Sequence, residues 1–119
     1  MKEIVINKCF GGFGLSHMAI MHWARLSGRE IFWEDHGYLR YYFYQDVFRR
    51  TYDKDAASFF EVAIARDDAA LVETVLWLGD RANGDCAELN VVEIPDDVEW
   101  EIVEYDGLEH VAEVHRTWG

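Results

Sequence analysis

The chain has 119 residues, half of them hydrophobic and 15% aromatic, with 23 Asp and Glu against 11 Lys and Arg. This balance predicts one globular domain over residues 1–119 and excludes a disordered chain. No apolar run approaches the roughly 18 residues of a membrane span, and no secretory leader is visible. Two cysteines are too few for a disulfide framework, so we expect a cytoplasmic protein.

The net charge of −12 is unevenly placed along the chain. Residues 1–52 carry a net charge of +2, and residues 53–119 carry −14. From Asp85 to Glu109 there are ten carboxylates and no Lys or Arg. Such a field repels nucleic acid and attracts basic surfaces. Direct binding of nucleic acid is therefore disfavoured, whereas binding to a basic protein that itself handles nucleic acid is favoured.

The first element is a β-branched strand over Glu3–Cys9, followed by a turn that holds Gly11, Gly12 and Gly14. Ser16 is a good N-cap for a helix over His17–Ser27, which Gly28 ends.

The middle of the chain is rich in aromatic residues. Arg29–Glu34 and Tyr38–Tyr44 read as β-prone segments on either side of a turn at Asp35–Gly37, and Phe59–Ile64 reads as another strand. The aromatic cluster within Tyr38–Tyr44, with Phe48 after it, is either a binding surface or a buried side of a sheet.

A second helix is predicted over Ala69–Leu78, capped by Asp67 or Asp68 and closed by Gly79. The apolar stripe comprises Leu71, Val72, Val75, Leu76 and Leu78. Trp77 lies on the side opposite this stripe, so it is either packed under the middle segment or an exposed aromatic. We favour packing, because bulky aromatic side chains are mostly buried.

Three further strands are predicted over Ala87–Ile94, Val98–Glu104 and Leu108–Arg116. Together the elements predict an α+β domain, with a mostly antiparallel or mixed sheet and two helices packed on one of its faces. A loop of two residues between the last two strands mixes apolar and acidic groups on both faces. A loop of three residues, Tyr105–Gly107, segregates them, and we favour it because segregation fixes register.

Under this register one exposed face of the hairpin carries Glu99, Glu101, Glu109 and Glu113, with Asp96, Asp97 and Glu104 at its rim. Carboxylates two residues apart on a strand are about 6.6 Å apart, which loosely imitates a row of DNA phosphates. The alternative interpretation is a solvated face that keeps an acidic protein soluble and guards a sheet edge.

The glycine-rich turn is the second candidate site. A strand followed by glycines and a helix start resembles an anion cradle, in which Gly11, Gly12, Gly14 and Ser16 would hold a phosphate. Neither the P-loop nor the dinucleotide-binding pattern is present. The alternative, which we favour, is that the glycines let the chain turn tightly against the sheet.

Cys9 is a weak candidate nucleophile because it lies near a helix N-terminus, with His17 and His22 as nearby bases. A Cys at a strand end is more often an inert, buried residue. The histidines show no metal-binding spacing, so we predict no metal and no cofactor.

The opening of the chain, Ile4–Ser16, resembles the "INKCxGGFGLS" motif of a family of short uncharacterised proteins of bacteriophages and bacterial chromosomes. The stretches Arg66–Val72, Val91–Gly107 and His115–Trp118 also resemble this family. The resemblance implies a phage or mobile-element origin and no established catalytic residues. If the protein is phage-encoded, the expected cytoplasmic location is the cytoplasm of the host.

We therefore expect a non-enzymatic acidic protein that binds and inhibits a basic host protein. That partner would be a defence protein, such as a CRISPR effector, or another nucleic-acid-binding protein, with DNA mimicry as the mechanism. The alternatives are a binder of anionic ligands or nucleotides at the glycine-rich turn, and a Cys9-dependent enzyme.

Overall fold

A computed structural model describes residues 1–36, 39–43, 58–59 and 61–114. The strands are β1 (Lys2–Asn7), β2 (Phe32–His36), β3 (Leu39–Phe43), β4 (Ser58–Phe59), β5 (Leu89–Ile94), β6 (Trp100–Tyr105) and β7 (Leu108–Glu113). The α-helices are α1 (His17–Leu26) and α2 (Ala69–Leu78). Short 3-10 turns cover Glu61–Ala63 and Gly79–Ala82. The predicted α+β class is confirmed.

All the described strand pairs are antiparallel, and they form three small sheets: β1 paired with β5, a three-stranded sheet in the order β2-β3-β4, and β6 paired with β7. Strand β1 is buried, and its Ile4, Val5 and Ile6 are essentially inaccessible to solvent. Burial on both faces explains why this strand reads as a continuous apolar run rather than an alternating one.

The two helices have the predicted caps. The Ser16 side chain accepts a hydrogen bond from the Ala19 amide, and Asp68 accepts one from the Leu71 amide. Asp68 also accepts a hydrogen bond from the Trp23 indole N–H at 2.9 Å, so one carboxylate caps α2 and fixes it against α1. The helices pack with Val5 into a single apolar core.

Two predictions about α2 are wrong. Leu76 is 62% exposed rather than part of the apolar stripe, and Trp77 is 71% exposed rather than packed. The buried positions are Leu71, Val72, Thr74, Val75 and Leu78. The buried strip of α2 is thus narrower than the apolar composition of the helix suggested. The remaining large apolar side chains, Leu76 and Trp77, face solvent.

In the middle of the chain, the predicted strand over Phe59–Ile64 is wrong. Its start belongs to the two-residue strand β4, and Glu61–Ala63 forms a 3-10 turn. The aromatic segment forms β3 over Leu39–Phe43. Tyr38, Tyr44 and Phe48 of the predicted aromatic cluster lie outside the described residues, as does the predicted continuation of β7 to Arg116.

The predicted register of the hairpin is also wrong. Trp100 pairs with Glu113 and Ile102 with Val111, so the loop has two residues rather than three. Asp106 has a φ of 49° and Gly107 a φ of 90°, the left-handed pair of a type I′ turn. Asp-Gly is a preferred sequence for this turn, whose twist matches that of the flanking strands. Turn chemistry therefore outweighs the segregation of apolar and acidic side chains.

No helix in the described part of the chain is both long and apolar enough to cross a membrane.

Candidate functional site

The two-residue loop divides the candidate acidic residues between the two faces of the hairpin. Because residues paired across the ladder share a face, Glu101 lies with Val103, Tyr105 and His110 on one side. We call this side the outer face of the hairpin. Glu99, two residues before Glu101 in the sequence, also lies on it. The other face carries Glu104, Glu109 and Glu113 beside the half-buried Trp100 and Ile102. The predicted single ladder of four carboxylates does not form.

Glu109 lies inside the protein, with only 5% of the residue exposed. Its two carboxylate oxygens accept hydrogen bonds from Arg66 at 2.6 and 2.9 Å, which makes a bidentate ion pair. The guanidinium also lies 3.7 Å from the centre of the Phe13 ring, so it is stacked as well as paired. The prediction that Glu109 belongs to an exposed acidic face is wrong, because Arg66 draws it into the interior.

Asn7 joins this ion pair to the glycine-rich turn. Its backbone N–H donates to Glu109, and its side-chain amide donates to the carbonyls of Cys9 and Gly107. The side-chain oxygen of Asn7 accepts from the Glu88 amide. A completely buried amide with these partners is fully engaged, and such networks define one local arrangement. The hairpin is thereby fixed to the end of β1.

Ten exposed carboxylates remain on the surface between residues 85 and 113, and no Lys or Arg lies among them in the sequence. Asp96 is paired at 3.2 Å with the amino group of Met1. Apart from Glu109, all the acidic residues predicted to bind a partner belong to this set, which comprises Asp85, Glu88, Glu93, Asp96, Asp97, Glu99, Glu101, Glu104, Asp106 and Glu113.

Polar groups at both ends of the glycine-rich turn are used within the chain, beginning with the Gly11 amide, which donates to the Cys9 carbonyl. The Leu15 amide donates to Glu61 at 3.0 Å, and the Ser16 amide donates to the Ala82 carbonyl. The Ser16 hydroxyl donates to Arg81 O and accepts from the Ala19 amide. Internal acceptors, one of them a carboxylate, thus occupy donors that an anionic ligand would need. This favours the structural interpretation of the turn over the ligand-binding one.

Close backbone contact explains the glycines at two points. A Cβ at Gly11 would overlap the carbonyl oxygen of Cys86, and a Cβ at Gly107 would overlap the backbone nitrogen of Gly12. The turn at residues 11–14 and the hairpin tip therefore approach each other more closely than side chains allow.

Burial raises the pKa of Glu61 above its ordinary value of 4.5, and the hydrogen bond from Leu15 opposes that shift. Since the folded state then binds a proton more tightly than the unfolded state, raising the pH from 4.5 through the folded pKa lowers stability. In Glu61→Gln, which keeps an acceptor for Leu15, we expect this loss to disappear. Urea unfolding of both proteins between about pH 4 and 7 measures it. A difference in stability between the wild-type protein and Glu61→Gln that does not change with pH would contradict the raised pKa of Glu61.

Cys9 is half-buried, and the two histidines proposed as its bases engage other groups. His17 Nδ1 lies 2.9 Å from the Tyr42 hydroxyl, and the His17 ring packs edge-on against Trp33. His22 Nδ1 lies 2.9 Å from Arg25 on the surface of α1. These contacts give the enzyme alternative no support.

Sequence reasoning missed the roles of Arg66, Asn7 and Glu61. The role of Arg66 could have been suspected from the sequence, because Arg66 is the only Lys or Arg between residues 55 and 80. An isolated cation in an acid-rich half is a candidate for a buried pair, since buried charges are normally paired. Its partner, 43 residues away, had no local signature.

Comparison of the chain with protein-family models, with curated proteins and with solved structures finds no match. Within the described ranges of the chain, no group of three or more His, Cys, Asp or Glu side chains is placed to hold a metal ion. The fold and the surface define a class in physical terms: a small α+β domain with a strongly acidic hairpin.

Proposed function

We propose that this protein is a non-enzymatic acidic binder that covers a basic surface of another protein and inhibits it. The supporting observation is the set of ten exposed carboxylates between residues 85 and 113, a stretch with no Lys or Arg. A dense field of one sign steers association with a surface of the opposite sign and repels nucleic acid. The resemblance to phage proteins makes a host defence or nucleic-acid-binding protein the proposed partner.

The corrected register changes which residues make the contact. Glu101 in β6 and Glu99 just before it lie on the outer face of the hairpin, about 6.6 Å apart at about 3.3 Å per residue, and Tyr105 continues that face. Asp96 and Asp97 are exposed in the turn before β6, and Glu104 and Glu113 lie on the opposite face of the hairpin. Glu109 is left out, because its carboxylate is already neutralised by Arg66.

This function predicts the loss of partner capture in the triple variant Glu99→Lys, Glu101→Lys and Glu113→Lys. The wild-type protein, immobilised, should retain basic proteins from host lysate at low salt and release them at high salt, because exposed charges are screened. The captured proteins are identified by mass spectrometry, and binding of each is then measured with the purified pair.

The matched control reverses three exposed carboxylates away from the hairpin: Glu30, Asp35 and Asp80. This control variant changes the net charge by the same amount as the hairpin variant and should still capture the partner. Equal capture by the wild-type protein and the hairpin variant would sink the proposal. Equal loss in both variants would show that total charge, rather than this surface, governs binding.

A further inference from the structure

A groove of about 620 Å³ lies between the start of β1 and the solvent side of α2. Its floor and walls include Lys2 and Glu3 of β1, Glu73, Leu76 and Trp77 of α2, and Asp96.

The apolar lining of the groove includes two neighbouring side chains that the fold leaves in solvent. Trp77 is 71% exposed and Leu76 is 62% exposed. Single exposed apolar residues are normal, but an adjacent Trp and Leu beside a groove form a patch typical of binding sites. Trp is also among the residues that most often dominate the energy of a protein interface.

The charged part of the groove is acidic. Glu3, Asp67, Glu73 and Asp96 line it, against Lys2 and the Met1 amine as the cations. Asp96 already binds one ammonium group, the Met1 amine. The groove therefore complements a ligand that is both cationic and apolar.

The spacing on α2 favours arginine over lysine. Glu73 and Trp77 are four residues apart and lie on one side of the helix. A guanidinium can stack on the indole while it donates two parallel N–H bonds to a neighbouring carboxylate. An ammonium is a compact, strongly hydrated point charge and cannot make both contacts in the same way.

We propose that this groove binds an arginine-bearing segment of the partner protein, with the guanidinium on Trp77 and Glu73 and an adjacent aliphatic side chain over Leu76. The inference rests on the proposed function, because it takes the partner to be basic. Asp96 lies in the turn between β5 and β6, so the groove joins the acidic surface at that turn. A partner that crosses the turn would contact both.

The test uses short labelled peptides with the intact protein. One peptide contains Arg, Leu and Ala; in the second Lys replaces Arg, and in the third Ser replaces Leu. We expect the Arg–Leu peptide to bind about 5- to 10-fold more tightly than either of the others. Trp77→Ala should weaken it about 10-fold and Trp77→Phe less, because Phe keeps a smaller aromatic face. Fluorescence anisotropy gives the dissociation constants.

Met18→Ala is the matched control, since Met18 is an exposed apolar residue of α1 outside this groove. It should bind the Arg–Leu peptide like the wild-type protein. Because Trp77 is exposed, its substitution should leave thermal unfolding almost unchanged, which separates lost binding from lost folding. Undetectable binding of the Arg–Leu peptide, equal binding of the Arg and Lys peptides, or full binding by Trp77→Ala would overturn the inference.

The hairpin triple variant separates the two proposals. It should keep the peptide affinity within about 2- to 3-fold, since none of its substitutions lines the groove and more distant charges are screened. If it loses partner capture while Trp77→Ala keeps it, the proposed function stands and the groove inference fails. If peptide binding follows the expected pattern while the hairpin variant still captures the partner, the groove stands and the hairpin mechanism fails.

Discussion

Replacing Arg66 by Ala is expected to destabilise the protein by about 3–5 kcal/mol, because it leaves the Glu109 carboxylate buried without its cation. Only 5% of the Glu109 side chain and 16% of the Arg66 side chain are exposed, so water cannot replace the lost partner. Glu109→Ala should cost a similar amount, because it leaves the Arg66 guanidinium without its carboxylate. It also removes the acceptor of the Asn7 backbone N–H. Equilibrium unfolding in urea measures both changes.

The double variant Arg66→Met with Glu109→Leu should be less destabilised than either single variant. A buried ion pair replaced as a whole by apolar side chains often costs little, whereas breaking it leaves an uncompensated charge. Arg81→Ala, at an exposed position, should change stability by no more than about 0.5 kcal/mol. Losses below about 1 kcal/mol at Arg66, or additive losses in the double variant, would contradict the buried pair.

Gly107→Ala is the second substitution with a large expected effect. Gly107 has a φ of 90°, and a Cβ there would overlap the backbone of Gly12. The left-handed conformation costs about 1–2 kcal/mol for a residue with a Cβ. The overlap adds about 1–3 kcal/mol of overpacking, because backbone atoms cannot move aside as a side chain can.

Gly12→Ala isolates the conformational part of this cost. Gly12 has a φ of 95°, but nothing lies within 4 Å of the position that its Cβ would take. We therefore expect Gly12→Ala to lose only about 1–2 kcal/mol, and Gly107→Ala clearly more. Urea unfolding of the two variants side by side decides between them. Equal losses of unfolding free energy in the two variants would show that the hairpin tip is not in close backbone contact with the glycine-rich turn.

The helices were predictable because their signals are local. Ser16 and Asp68 cap them, and α2 has the predicted bounds, Ala69–Leu78. The hairpin strands were found as well, but their register was not. Segregation of acidic and apolar side chains predicted a loop of three residues between β6 and β7. The loop has two, because Asp106-Gly107 forms a type I′ turn.

The candidate site was harder to predict, since its composition depends on distant partners. Glu109 has the same alternating surroundings as Glu99 and Glu101, and nothing local marks it as buried. Its position is set by Arg66 and Asn7, which come from the loop before α2 and from β1. Trp77 shows the converse case: helical periodicity places it opposite the core, but it does not reveal whether another segment covers that side.

The same contacts give the glycine-rich turn a structural role. It receives the hairpin tip at Gly107, and Phe13 stacks on the Arg66 that holds Glu109. The turn and the acidic hairpin, which lie far apart in the sequence, form one structural unit. Substitutions in the turn should therefore alter the proposed binding at the hairpin indirectly, by displacing β6 and β7.

Hydrogen exchange of the intact chain, alone and bound to the protein recovered by capture, tests the central claim most directly. The acidic hairpin as the binding surface predicts slower exchange of amides over residues 96–106 in the complex, with little change over residues 11–16. This protection should weaken as salt is raised, because the contact is electrostatic. Protection confined to residues 11–16, or a complex that leaves the exchange of the hairpin unchanged, would contradict the account.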